Sequence, residues 1–193
     1  MTTERQIEIL EAAIELIHKK GIQGLTIKNL ANSIGVTEPA IYRHFENKVS
    51  ILNAILDILK QDIGSILSKK LQPDASPLEK IEQMFSNHFE FFNMNPAVAS
   101  VVFAEELFRN EPSLTKKIAE VIEQNNKAIV ATITEGQQRK EIRSDISAEN
   151  LSTMIMGTLR LFVKRWQLTG YGFDLTEEGK DVARMVKLLL KEK

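Results

Sequence analysis

Between Tyr42 and Lys48 the chain sets a phenol, a guanidinium, an imidazole and an ammonium on seven consecutive residues. All four donate hydrogen bonds to anionic oxygen or to the edges of bases. No comparable set exists for catalysis. The three histidines, His18, His44 and His88, are scattered. Glu15 and His18 have the spacing of half a carboxylate di-metal site, but no second copy follows and both fall off the Ile7, Leu10, Ile14, Ile17 stripe, so a solvated face is expected for them. There is no cysteine, which excludes disulfides and thiolate chemistry, and no glycine-rich phosphate loop, nucleophile elbow or metalloprotease motif occurs. The chain reads as a binding protein without metal or cofactor, not as an enzyme, and His44 as a phosphate donor rather than a base.

The donors need elements to aim them. In Thr26 to Lys48, Thr26 caps a short helix whose Ile27, Leu30, Ala31 and Ile34 share one face. Gly35 ends it, because glycine accepts the left-handed backbone of a sharp reversal, and Ala31 is small enough for a second helix to cross closely. That second helix is capped by Thr37, with Glu38 at the positive end of the dipole and Pro39 where a missing N–H costs nothing. Ile41 and Phe45 lie one turn apart and point inward, which turns Pro39, Ala40 and Arg43 outward and puts Tyr42 and His44 on the flanks. Two short helices joined by a tight turn form a helix-turn-helix, whose second helix fits the major groove of double-stranded DNA. Asn47 caps the next helix and sets Lys48 in its first turn, where a phosphate is favoured.

The segment resembles the DNA-binding motif of the tetracycline-repressor (TetR) family of bacterial transcription regulators. The features that carry the resemblance are a preceding helix ending at Gly21, then Thr26, the Ala31 and Gly35 pair, Val36-Thr37, Tyr42, Phe45 and the Asn47-Lys48 start of a long helix. Carried over position by position, it implies that Thr26, Lys28, Thr37, Tyr42, His44 and Lys48 touch the DNA backbone while Pro39, Ala40 and Arg43 approach the bases. Family members often carry more Lys or Arg here, and Glu38 and Glu46 sit among these positions.

Charge says the same. The chain holds 25 basic and 26 acidic residues, so DNA binding must depend on placement rather than on a basic domain. Of the six acids in residues 1–48, four (Glu4, Glu8, Glu11, Glu15) belong to the first helix, away from the reading face. With 193 residues and 43% hydrophobic content the chain can bury a large core. No secretory signal and no membrane-length apolar run is present, so a cytoplasmic protein that does not engage membrane is expected.

Beyond residue 48 every boundary carries capping chemistry and no strand pattern occurs. A long helix is predicted from Lys48 to about Lys70, with Ile51, Leu52, Ile55, Leu59, Ile63 and Ile66 inward, before a Gln72-Pro73-Asp74-Ala75 loop. Ser76-Pro77-Leu78-Glu79 is a capping box opening a helix to about Asn93. Asn95-Pro96 opens another, to Phe108 or Arg109, and Pro112 admits a long one to about Lys140. Ser147 caps a helix from Ala148 to about Thr169, and Thr176 caps the last, to Leu190. The expectation is an all-α, nine-helix chain with a helix-turn-helix domain over 1–47 and a helical ligand-binding and dimerisation domain over 48–193, the nine-helix two-domain TetR-like fold that the resemblance also implies.

The last two helices are apolar round much of their circumference. Leu151, Ile155, Leu159, Phe162 and Trp166, with Val182, Met185, Val186 and Leu189, are expected at a two-fold four-helix interface of a homodimer, burial inside one chain being the alternative. A dimer presents two recognition helices to a pseudo-palindromic operator. Six of the nine phenylalanines fall within 24 residues, from Phe85 to Phe108. They are core, or several line a cavity for a small apolar effector; Phe85, His88, Phe89, Phe92, Phe103, Met154 and Arg160 are the candidates, with Asn87 and Glu105 nearby. A ligand fitting one conformation would shift the protein away from its DNA-binding state, relieving repression. Two alternatives stand: an architectural or division-linked DNA-binding protein, and an accessory protein meeting a protein partner through its body.

Overall fold

A computed structural model of the chain describes residues 3–69, 74–104 and 111–192. The side chains of Ile63 and Ile66, the Gln72-Pro73 part of the expected loop, and Glu105 and Phe108 lie outside the described residues. Those that are described form nine α-helices and no named strand: α1 Glu4–Gly24, α2 Ile27–Ser33, α3 Glu38–Tyr42, α4 Lys48–Lys69, α5 Pro77–Met94, α6 Pro96–Val102, α7 Pro112–Gln138, α8 Ala148–Leu168 and α9 Leu175–Leu190.

The caps explain the boundaries. Thr3 and Gln6 make a reciprocal capping box that starts α1 ahead of its apolar stripe, and Gly21 interrupts that helix at φ 65°. Ser76 and Glu79 close the expected box of α5; the N–H of Ser76 donates to the Glu79 carboxylate and holds its pKa below the ordinary value. α9 departs from expectation. Its cap is Asp174, whose carboxylate accepts from the N–H groups of Thr176 and Glu177, leaving Thr176 in the first turn. A carboxylate there satisfies two free N–H groups and the helix dipole together.

By packing, the chain divides into two units, Met1–Gln61 with Pro96–Glu120 and Asp62–Asn95 with Val121–Lys193. The division falls elsewhere than the expected boundary after residue 47, because side-chain chemistry ties later helices to the N-terminal ones. In the first unit α6 packs on α1, with His18 Nδ1 2.8 Å from Ser100 Oγ. Lys117 reaches the Asp57 carboxylate at 2.8 Å and the Asn53 carbonyl at 3.2 Å. Ile9, Leu10, Ala13, Ile17, Leu30, Ile41, Ile51 and Ile55 are buried there. The solvated face expected for Glu15 and His18 therefore holds only for Glu15, which pairs with Lys19 in solvent; His18 is turned into the contact with α6.

In the second unit α5 lies along α9, and α8 packs on both. Phe89 explains the closeness of α5 and α9: a Cβ built on Gly179 would sit 2.3 Å from Phe89 Cδ2, so only glycine admits the ring. Trp166 Nε1 donates to the Phe173 carbonyl at 3.0 Å, and the buried Ser152 hydroxyl meets Asn126 Oδ1 at 2.6 Å. The end of α9 is stitched to the turn after α7, Arg143 N donating to Leu190 O at 2.8 Å and Glu192 N to Glu141 O at 3.1 Å.

Candidate functional site

Within the first unit the turn between α2 and α3 is closed by backbone chemistry. Val36 N donates to Ala31 O at 2.9 Å and Gly35 N to Asn32 O at 3.4 Å, the paired bonds of a Schellman end, with Gly35 at φ 69°. Ala31 is buried beneath the crossing. Thr26 caps α2 by accepting from Asn29 N at 3.1 Å, which leaves its hydroxyl proton free to donate outward. Thr37 has the backbone of a cap, but its side chain makes no capping bond. The cause is Pro39: it removes one N–H that a cap would use, and Ala40 N is spent on the Thr37 carbonyl at 3.0 Å.

Ile41 and Phe45 are buried, so α3 is held as its spacing predicts. Thr26, Lys28, Thr37, Pro39, Tyr42 and Arg43 are exposed, Tyr42 to 52%, while Ala40 and His44 are half-exposed on the same short segment. Regular helix ends at Tyr42, and Arg43, His44 and Phe45 continue in a turn tied to Pro39 and Ile41 carbonyls. The exposed groups of this segment are hydroxyls, a phenol, a guanidinium and an ammonium, which suit phosphate and base edges.

Lys48 has a contact that sequence reasoning did not foresee. Asn47 caps α4 through Ser50 N at 2.9 Å, as expected, but the half-buried Lys48 Nζ donates to the Ile22 carbonyl at 2.9 Å. Desolvation lowers its pKa from the ordinary lysine value. The ammonium thus ties the start of α4 to the end of α1.

In the second unit Phe85, Phe89 and Phe92 are fully buried on α5. Phe85 and Phe89 meet edge-on with ring centroids 5.9 Å apart, while Phe89 and Phe162 at 5.2 Å and Phe162 and Phe173 at 5.5 Å are tilted against each other. His88 stands edge-on to Phe92 at 4.8 Å. Its Nε2 and the Nδ2 of neighbouring Asn87 are shut off from solvent and have no hydrogen-bond partner. Burial pushes the His88 pKa down to about 4, so the ring is neutral near pH 7. The other expected pocket residues do not join this group. Phe103 is buried in the first unit. Met154 and Arg160 are exposed, because α8 turns Leu151, Ile155, Leu159, Val163 and Trp166 to the core and these two away from it.

The same orientation corrects most of the expected interface. Leu151, Ile155, Leu159, Trp166, Val182 and Val186 are buried inside their own chain, and Phe162 is held between Phe89 and Phe173. Met185 and Leu189 remain exposed. They are joined in exposure by Met154, Leu161 at 70%, Leu168 at 77% and Leu188, which the sequence reading left out of the interface. The 154, 161, 168 spacing was the available signal, but a helix apolar on two sides does not announce which side is the core.

Comparison with known proteins agrees with this geometry. Residues 9–55 match the family model described as bacterial regulatory proteins, tetR family, and residues 58–190 match that of the YsiA-like protein C-terminal region. A fatty acid metabolism regulator protein of Bacillus subtilis is 25% identical over 185 residues, covering 94% of this chain and 93% of its own. A nucleoid occlusion factor SlmA of Marinobacter nauticus is 26% identical over 164 residues, covering 83% and 84%. The crystal structure of the transcriptional regulator FadR from Bacillus subtilis in complex with stearoyl-CoA superposes with a TM-score of 0.81 at 25% identity, covering 95% of this chain and 98% of that one. With both parts of the chain matched, an outward-facing helix-turn-helix and an all-helical body, the protein belongs to the tetR family of bacterial regulatory proteins and is a DNA-binding regulator.

Proposed function

We propose that the protein is a cytoplasmic homodimeric repressor that binds a pseudo-palindromic operator and leaves it on binding an acyl-CoA-like ligand in its second unit. The exposed donor face around α3 carries the first half of this reading. Thr26, Lys28, Thr37, Tyr42 and His44 contact phosphates, and Pro39, Ala40 and Arg43 meet base edges. Lys48 acts on the same surface by fixing the end of α1 against α4. The exposed apolar residues of α8 and α9 supply the dimer contact, Met154, Leu161, Leu168, Met185, Leu188 and Leu189 covering one another across a two-fold axis.

The second half rests on the stearoyl-CoA complex of the Bacillus subtilis relative and on the buried phenylalanines of α5, which offer an acyl chain an apolar surface. The likeness to nucleoid occlusion factors supports a second reading, a division-linked DNA-binding protein. Selection of bound sequences from random DNA, followed by mapping of occupied sites in cells, separates the two. An inverted repeat at a few promoters, released by stearoyl-CoA, is the expected result; the same repeat dispersed over a chromosome and indifferent to acyl-CoA would favour the second reading.

A further inference from the structure

We propose that Asn87 and His88 form an uncharged polar subsite inside the second unit that holds the carbonyl group of an acyl ester or thioester. The inference deepens the acyl-ligand reading above and rests on it. Asn87 Nδ2 and His88 Nε2 are both buried without a partner, on adjacent residues of α5 whose neighbours are Phe85, Phe89 and Phe92. Native interiors seldom leave such atoms unmatched, since each forfeits its hydrogen bonds to water on folding.

The chemistry of the two groups specifies the guest. An amide Nδ2 only donates, so it requires an acceptor. The imidazole stands edge-on to Phe89 and Phe92 with ring centroids 6.2 and 4.8 Å away, an apolar setting that disfavours its cationic form, in line with its lowered pKa. A neutral imidazole with Nε2 protonated is a second donor, and a carbonyl oxygen with two lone pairs accepts from both. A carboxylate would bring a negative charge that neither an amide nor a neutral imidazole compensates. The pair therefore selects an ester or thioester carbonyl over a free acid, and the phenylalanines receive the chain attached to it.

The test uses the full-length protein and two ligands that differ only in the carbonyl, stearoyl-CoA and its thioether analogue S-octadecyl-CoA, titrated by calorimetry near neutral pH. Two neutral hydrogen bonds predict that the thioester binds about tenfold more tightly, and that Asn87→Leu with His88→Phe abolishes this preference while the thioether affinity stays within about threefold. Equal binding of the two ligands by the unaltered protein would overturn the inference and leave the acyl-ligand reading intact. Binding of neither would overturn that reading itself. Because the decisive comparison needs no substitution, a variant that fails to fold does not obstruct it. Imidazole nitrogen chemical shifts give an independent readout: His88 remains neutral with stearoyl-CoA bound, and a protonated ring in the complex would contradict the proposal.

Discussion

At the end of α3 the phenol of Tyr42 and the guanidinium of Arg43 stand in solvent, whereas on α5 the Asn87 amide nitrogen is buried without a partner and the His88 imidazole stands edge-on to Phe89 and Phe92. Water serves the first pair in the absence of any partner, so exchanging water for DNA gains little per bond and the affinity must come from charge and alignment. The second pair has already lost its water. Each such atom carries a penalty of about 1–3 kcal/mol until something meets it, and a ligand that does so recovers what folding left uncompensated. The head is thus built to bind without cost when empty, and the body to gain on filling.

The contrast can be broken most forcefully by truncating one aromatic on each side. Phe89→Ala should lower stability by about 3–5 kcal/mol in chemical denaturation. Tyr42→Ala should stay within about 0.5 kcal/mol of the parent yet lose enrichment of specific DNA; equal stability costs for the two would remove the distinction. Acidity probes the body alone. The folded pKa of His88, about 4, lies below an ordinary value of 6.5, so the unfolded chain binds a proton that the fold refuses. The resulting stability is present above about pH 6.5 and is lost as pH falls toward 4, by about 3 kcal/mol in all. His88→Phe should flatten that part of the pH profile, and a profile unchanged by the substitution would mean the ring titrates normally.

Smaller effects belong to the head. Gly35→Ala should cost about 1–2 kcal/mol, because φ 69° forces an L-residue into the left-handed region, and operator binding should weaken with it. Smallest in stability, and sharpest in meaning, is the pair of lysines. Lys28→Ala should reduce the slope of log affinity against log salt by about 0.9, the signature of one phosphate contact. Lys48→Met should weaken binding with the slope unchanged, since its ammonium is spent on Ile22 O. A slope reduced equally by both would return Lys48 to the phosphates.

Legibility in the sequence followed the same divide. The helix-turn-helix could be read residue by residue because its determinants are local: Thr26, Gly35, Pro39 and the Ile41 and Phe45 spacing act within one or two turns. The inward residues of α4 through Leu59 and the capping box of α5 were legible for that reason too. What escaped depends on partners far along the chain. His18 meets Ser100 and Lys48 meets Ile22, and nothing in the local pattern at either residue names its partner. On α8 the periodicity supplied two apolar faces, and only the packing of α5 and α9 decides that Leu151 and Ile155 point inward while Met154 and Leu161 point out. Nearness in sequence groups Phe103 with Phe85, but the chain passes from one unit to the other at Pro96, and α6 folds onto α1 within the first unit.

The seat of Phe89 against Gly179 also has an evolutionary reading. Neither position can change freely alone: a methyl at 179 collides with the ring, and a smaller residue at 89 leaves a void beside the glycine. Relatives should therefore drift along a narrow path on which the two sites exchange volume, an aromatic at 89 accompanying glycine at 179 and an aliphatic at 89 accompanying alanine or larger. Aligned sequences of this branch of the family should register that exchange as paired substitution, even though 90 residues separate the two positions.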